Sequence, residues 1–197
     1  MATKHLIICG SPRAKGRSAL IASQLYNHLT ATQPTALVAA FCVCDHAVAG
    51  CQGCDACRQD YSCIIDDDMQ LLYELLDTTD MIHVVSPVYF AGAPAQLKAV
   101  LDRMQPYFWE NVRAQAKRPA QLYVVGEGGD PHGFDPLVGC VRSALGVAGF
   151  SLEAVHNLVG CVPDPLASDF DGAVPDFVTA ALTGLSNPFE EGGSHAR

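Results

Sequence analysis

His5-Leu-Ile-Ile-Cys9-Gly10-Ser-Pro-Arg13-Ala-Lys-Gly16-Arg17-Ser18 is the stretch whose reading decides the fold. It begins with a short, almost wholly apolar run that stops at Gly10. Such a run, without polar alternation, reads as a strand buried on both faces, the kind found in the middle of a parallel sheet. Beyond Ser18, Ile21, Leu25 and Leu29 recur at four-residue spacing and mark the apolar stripe of a helix that faces the sheet. A strand, a loop of small, hydroxyl and basic residues, and a helix start together make an anion site. Unpaired backbone N–H groups and the positive end of the helix dipole point at whatever sits there. The loop is not a Walker A motif: five residues separate Gly10 from Gly16 where four are required, and Arg17 stands where Lys should. It also lacks G-x-G-x-x-G, which argues against a dinucleotide-binding Rossmann start.

The same strand–helix rhythm continues outward. Further strands are expected at Thr35 to Cys42, Met81 to Val85, Gln121 to Val125 and Leu152 to Val159. Between them lie helical patterns: Met69, Leu72 and Leu76; then Leu97, Val100, Leu101 and Met104 behind Pro94; then Asp135 to Val147. A last helix is expected near Pro175 to Leu185. Strands alternating with helices indicate a doubly wound parallel sheet of α/β class. The loops after the first, third and fourth strands meet at its carboxyl edge, where open sheets of this kind bind ligands. They carry Ser86-Pro87-Val88-Tyr89-Phe90 and the glycine-rich turn Gly126-Glu-Gly128-Gly-Asp130. The acids Asp66-Asp67-Asp68 read as a helix cap and as complements to the helix dipole. Lys98 and Asp102 are spaced to pair with each other on one helix face. Arg113 to Arg118 reads as a solvated helix end, and His83 as a satisfied core residue.

The chain has 197 residues with 49% hydrophobic and 17% charged, enough for one well-packed domain. A net charge of −9 argues against nucleic acid as a partner. No stretch approaches the ~20 apolar residues that span a bilayer, and the N-terminal apolar run is too short for a signal peptide. The chain is therefore expected in the cytoplasm, with its nine cysteines reduced. No composition break marks a second domain.

Four of those cysteines crowd into Cys51-Gln-Gly-Cys54-Asp-Ala-Cys57-Arg-Gln-Asp-Tyr-Ser-Cys63. Structural zinc is usually held by two separated pairs, whereas one short loop is closer to the compact runs that wrap a cubane iron–sulfur cluster. Gly53, Ala56 and Ser62 let the chain curl around such a group. A [4Fe–4S] cluster, a metal-free redox thiol loop and a zinc knuckle all remain open at this point. Cys9, Cys42 and Cys161 read as small buried hydrophobes, and Cys44 as the nearest additional thiol to the loop.

Taken in order, Gly10-Ser-Pro-Arg13 with Gly16-Arg-Ser18, Cys51-x-x-Cys54-x-x-Cys57, Cys63, Asp67-Asp68-Met69, Ser86-Pro-Val-Tyr-Phe90, and Lys98 with Asp102-Arg103 resemble the flavodoxin-like NAD(P)H-dependent FMN reductases. The resemblance is strongest to their iron–sulfur flavoprotein branch, and the matching motifs lie in the first half of the chain. It implies a three-layer α/β/α flavodoxin fold with strand order 2-1-3-4-5. It also implies one FMN-binding domain over residues 1–185, carrying the cysteine loop 51–63, and a loose tail over 186–197. By position, Ser11, Arg13, Arg17 and Ser18 would hold the FMN phosphate. Pro87, Val88, Tyr89 and Phe90 would line the ribityl chain and isoalloxazine, with Gly126 and Gly128 in the third flavin loop. Cys51, Cys54, Cys57 and Cys63 would ligate a [4Fe–4S] cluster. The family usually has Gly-Asn-Thr where this chain has Gly16-Arg17-Ser18; Ser18 keeps the hydroxyl and Arg17 adds charge for a phosphate. The resemblance further implies an oxidoreductase exchanging electrons with NAD(P)H, a ferredoxin or a quinone-type acceptor, assembled as a homodimer or homotetramer. Two alternatives stand beside it: a cluster-free NAD(P)H:FMN or quinone reductase, and a non-catalytic flavodoxin-like carrier. Flavin chemistry requires no protein nucleophile, so no catalytic acid or base is named.

Overall fold

From His5 to Cys9 the first strand, β1 (Lys4–Cys9), is buried at every position. Leu6 and Ile8 point to one side, and Ile7 and Cys9 to the other. The computed structural model describes residues 2–163 and 165. Within them the chain runs β1, α1 (Arg17–Thr32), β2 (Leu37–Cys42), α2 (Cys57–Asp60), α3 (Met69–Thr78), β3 (Met81–Pro87), α4 (Ala95–Asp102), α5 (Gln105–Glu110), a 3₁₀ turn (Val112–Ala114), β4 (Arg118–Gly126), α6 (Asp135–Val147) and β5 (Phe150–Val159). The strands form one five-stranded, all-parallel sheet in the order β2-β1-β3-β4-β5, as the resemblance implies.

Helices cover both faces, giving the α/β/α layering. On one side Ile21, Leu25 and Leu29 of α1 pack on Ile7, Cys9, Val85, Tyr123 and Val125. On the other, Leu72 and Leu76 of α3, Leu97 and Val100 of α4, and Val141 and Leu145 of α6 pack on Leu6, Ile8, Val84 and Leu122. The helix stripes expected from periodicity are the buried ones. No helix among the described residues is long and apolar enough to cross a membrane. The helix expected near Pro175 to Leu185, the domain end at 185 and the tail over 186–197 lie outside the described residues.

Several local expectations are corrected. The helix behind Pro94 stops at Asp102, and Met104 belongs to the turn before an unforeseen helix, α5. Pro106 sits in the first turn of α5, where its missing N–H costs nothing. Only part of the basic run is a solvated helix end: Arg113 lies exposed in the last turn of the 3₁₀ helix and Lys117 is exposed, but Arg118 is not. Arg118 opens β4, donates to the carbonyls of Leu76 (2.8 Å) and Thr79 (2.7 Å), and stacks on Phe150; Arg113 lies over the Phe108 ring. Nor do the three acids simply cap a helix. The residue at the α3 N-cap, Asp68, makes no capping bond, and its carboxylate instead accepts the N–H of Ala47 at 2.7 Å. Asp67 accepts from Met69 but is mainly an ion-pair partner of Arg103, described below. Lys98 and Asp102 pair as expected, at an exposed position.

His83 is buried but only partly satisfied. Its Nε2 lies 3.1 Å from Nδ1 of His5, whose Nε2 lies 3.2 Å from Gln33 Oε1, while His83 Nδ1 has no partner among the described residues. An unpaired ring nitrogen is better left as a bare acceptor than as an N–H donor. That assigns the protons: His83 Nε2–H donates to His5, and His5 Nε2–H donates to Gln33. Burial, reinforced by His5 and His156, pushes the His83 pKa down to about 3. The folded chain therefore refuses a proton that the unfolded chain accepts below about pH 6.5. The neutral form's contribution is complete above that pH and is lost as pH falls toward 3. Between pH 7.5 and 5, urea unfolding is expected to show about 2 kcal/mol of stability lost through this one group; a His83→Leu variant is expected to lack that share of the decline.

Candidate functional site

The carboxyl edge of the sheet opens into a cleft of about 630 Å³ built from three loops. All ten residues that the sequence proposes for a flavin line it: Ser11, Arg13, Arg17 and Ser18 after β1; Pro87, Val88, Tyr89 and Phe90 after β3; Gly126 and Gly128 after β4.

The first wall is the turn into α1. Ser11 is buried and its Oγ accepts the N–H of Arg13 at 3.1 Å, which folds the loop back on itself. Gly10 is there because α4 passes close by: a Cβ at that position would lie 2.6 Å from Leu97 Cδ2. Gly16 stands at the N-cap of α1, which has no side-chain capping bond and no acid in its first turn, so the helix end is left without a side-chain cap. A phosphate fits that end of the cleft. Arg17 does more than the sequence suggests. Its Nη1 pairs with Glu127 Oε1 at 2.8 Å, which ties the first loop to the third, and its Nε donates to the carbonyl of Val162, beyond β5, at 3.0 Å.

The second wall ends in the turn Tyr89-Phe90-Ala91-Gly92, closed by reciprocal 3.0 Å backbone hydrogen bonds between Tyr89 and Gly92. Phe90 and Ala91 both have left-handed backbone, φ 49° and 62°, and the Phe90 side chain is 99% exposed. Such conformations cost about 1 to 2 kcal/mol per residue for non-glycines. The exposed ring at the cleft mouth contributes nothing to the core, so packing does not account for its strained backbone. Glu127, Phe134 and Asn157 are also among the lining residues. Asn157 reaches the site through the pairing of β5 with β4, which no local pattern announces.

The cysteine loop forms a second cavity, of about 230 Å³, with no lining residue in common with the first. Cys51, Cys54, Cys57 and Cys63 all border it, with Arg103, Pro106 and Trp109 opposite. The loop curls through left-handed residues at Gly53, Asp55 and Tyr61, of which only the glycine was expected. Cys44 does not border the cavity; its thiol lies near Cys42, the register partner of Cys9 at the β1–β2 edge. Burial raises the Cys57 thiol, with Cys63, Cys51 and Cys54 adding to the effect. Among the described residues no three His, Cys, Asp or Glu side chains are gathered closely enough to hold a metal ion, the four thiols included.

The base of the loop is held by Arg103, 1% exposed. Its Nη1 donates to the carbonyl of Ala49 (3.0 Å) and to Asp67 Oδ2 (2.9 Å); its Nη2 donates to the carbonyl of Ile65 (3.2 Å) and to Asp67 Oδ1 (3.2 Å). Ala49 and Ile65 each lie two residues outside the first and last loop cysteines, so one guanidinium clamps both ends of the loop. Burial alone would raise the Asp67 carboxyl, but Arg103 and the N–H groups of Ala49 and Met69 outweigh it and hold the pKa below its ordinary value. Asp102-Arg103 is conspicuous in the sequence as a motif, but the partner thirty-six residues away is not.

Residues 3–148 match the sequence model of a family described as NADPH-dependent FMN reductase. The chain is 42% identical over 84 residues to an iron–sulfur flavoprotein of Methanosarcina thermophila, covering 43% of this chain and 44% of that one. It is 32% identical over 127 residues to an iron–sulfur flavoprotein of Methanocaldococcus jannaschii, covering 64% and 62%. The chain thus spans about half the length of the curated relatives it matches. Among solved structures it superposes on an apo NADH:FMN oxidoreductase with a TM-score of 0.62 at 21% identity, covering 93% of this chain and 86% of that one. It superposes on an azoreductase from Bacillus anthracis, also at 0.62, with 13% identity, covering 93% and 96%. At these identities the structural likeness speaks for the fold.

The clamp separates the three acids by a single measurement. Removing one partner of a buried ion pair strands the other, so Asp67→Ala is expected to lower the unfolding free energy by about 3 to 5 kcal/mol. Exposed Asp66→Ala is expected to change it by less than about 0.5 kcal/mol. Equal effects in urea unfolding would restore the cap-and-dipole reading.

Proposed function

Because the chain belongs to the NADPH-dependent FMN reductase family, we propose that it is an FMN-dependent oxidoreductase that relays electrons between FMN and a [4Fe–4S] cluster. One observation carries this reading: the three loops after β1, β3 and β4 bring all ten candidate flavin residues to one cleft, while the four cysteines border a cavity of their own.

In this reading Ser11, Arg13, Ser18 and the first-turn N–H groups of α1 receive the phosphate. Arg17 joins them by exchanging its contact with Glu127, an exposed carboxylate; such surface pairs contribute only about 0 to 1 kcal/mol and yield readily to a dianion. Pro87, Val88 and Tyr89 give an apolar wall for a planar ring, and Gly126 and Gly128 let the backbone approach its far edge. Phe90 stands at the mouth, where a redox substrate or a second subunit covers it. Cys51, Cys54, Cys57 and Cys63 hold the cluster. The bound cofactors supply the chemistry, two-electron exchange with a nicotinamide or quinone-type partner and one-electron exchange with a ferredoxin; the protein supplies position and exclusion of water. The cytoplasm, where cysteines stay reduced, is the proposed location. A homodimer or homotetramer is the proposed assembly.

The reading is tested by separating the two sites. Cys54→Ser, purified without oxygen, is expected to lose iron and to keep FMN. Ser11→Ala combined with Arg13→Ala is expected to weaken FMN binding at least tenfold in a fluorescence titration, since hydrogen bonds to charged groups are worth about 1.5 to 3 kcal/mol each, and to keep iron. Anaerobic NADPH is expected to bleach the flavin. A flavin that responds only to a reduced ferredoxin would make the protein a carrier rather than a reductase.

A further inference from the structure

Away from both cavities, two further thiols face each other at the β1–β2 edge. Cys9, 1% exposed, and Cys42, half-buried, are direct register partners on neighbouring parallel strands. Both pack in the layer under α1, so their side chains leave the sheet on the same side. Paired strands lie about 4.8 Å apart, within the Cα separation of about 4.4 to 6.8 Å that a disulfide spans. The sulfurs already interact. The Cys42 S–H donates to Cys9 and, with the Ser11 N–H, holds the Cys9 thiol below its ordinary pKa, outweighing burial. The same bond, with burial, pushes the Cys42 thiol up. β2 stands at the edge of the sheet and most of its residues are only partly buried, so it can give by the few tenths of an ångström that bond formation needs.

We propose that Cys9 and Cys42 are a modification site, a dithiol that a hydroperoxide oxidises to a disulfide joining β1 to β2. The site stands apart from the flavin and cluster readings and uses none of the loop cysteines. Cys42 is the thiol with exposed surface, and it reacts first. Its sulfur attacks one peroxide oxygen, an S–O bond forms, the O–O bond breaks, and the thiol proton leaves with the departing oxygen as water. The Cys9 sulfur then displaces the hydroxyl from the Cys42 sulfenic acid, and the Cys9 proton leaves with it as a second water. Two thiols have lost two electrons in all, and one peroxide has gained them. Cys44, two residues beyond Cys42 and also half-buried, is a bystander, since it has no register partner on β1. The bond forms immediately before Gly10, at the foot of the first loop of the flavin cleft.

The test treats the folded, full-length protein with hydrogen peroxide at doses that leave its methionines intact. Remaining thiols are alkylated, and the disulfides are mapped by tandem mass spectrometry without reduction. The expected product is a bond between Cys9 and Cys42 that dithiothreitol reverses. Cys44→Ser is expected to keep this bond. Cys9→Ser is expected to stop at a Cys42 sulfenic acid, which dimedone labels. Three results overturn the inference: a Cys9 that stays reduced while the exposed loop cysteines are oxidised, a Cys9 bonded to any sulfur other than Cys42, and a folded Cys9→Ser protein unlabelled at Cys42. If either variant does not fold, the map of the wild-type protein decides the matter alone.

Discussion

A guanidinium 1% exposed to solvent must be almost completely paired or the fold that buries it fails. Arg103 meets that demand by gripping Asp67 with both nitrogens and the backbone carbonyls of Ala49 and Ile65. The cysteine loop depends on this arrangement. Between Ala49 and Ile65 the chain has little apolar surface to bury, and several of its residues are exposed. Its closure therefore comes from the clamp at its base, and from whatever the thiols hold, rather than from packing within the loop. Placing the clamp just beyond α4 also joins the loop to the helix whose other end supports the first flavin loop, where Leu97 packs beneath Gly10.

The flavin cleft follows from the sheet by a different logic. Parallel strands buried on both faces end together at one edge, and a change of winding direction between β1 and β3 leaves a crevice there. The loops are free to carry polar and strained residues because the strands beneath them are apolar and rigid. Arg17 and Glu127 lace two of those loops together across the cleft, and the tight turn at Tyr89–Gly92 holds Phe90 outward. The cleft and the cysteine cavity share no lining residue. Each cavity can therefore be altered by substitutions that leave the other's lining unchanged.

Features governed by local periodicity were legible in the amino-acid sequence. Every expected strand lies within three residues of its place, and Asp135–Val147 is the helix its stripe indicates. Cleft-lining residues on loops, such as Ser11 and Tyr89, were legible because ordered motifs carry them. What escaped was set by tertiary partners. Asp67 read as one of three equivalent acids until Arg103, distant in sequence, singled it out. Arg118 read as a surface charge because the carbonyls of Leu76 and Thr79 that capture it lie at the end of another helix. The short α5 was hidden by Pro106, a residue that breaks helices in the middle but starts them well. The left-handed Asp55 and Tyr61 in the cysteine loop, and Phe90 and Ala91 in the flavin loop, have no signature comparable to glycine's.

The central claim is that one chain holds both a flavin and an iron–sulfur cluster. Iron, labile sulfide and FMN counted per chain, on protein purified without oxygen, test it most directly. The account predicts about four iron, about four sulfide and about one FMN per chain. Yellow protein without iron would contradict the cluster, and colourless protein would contradict both.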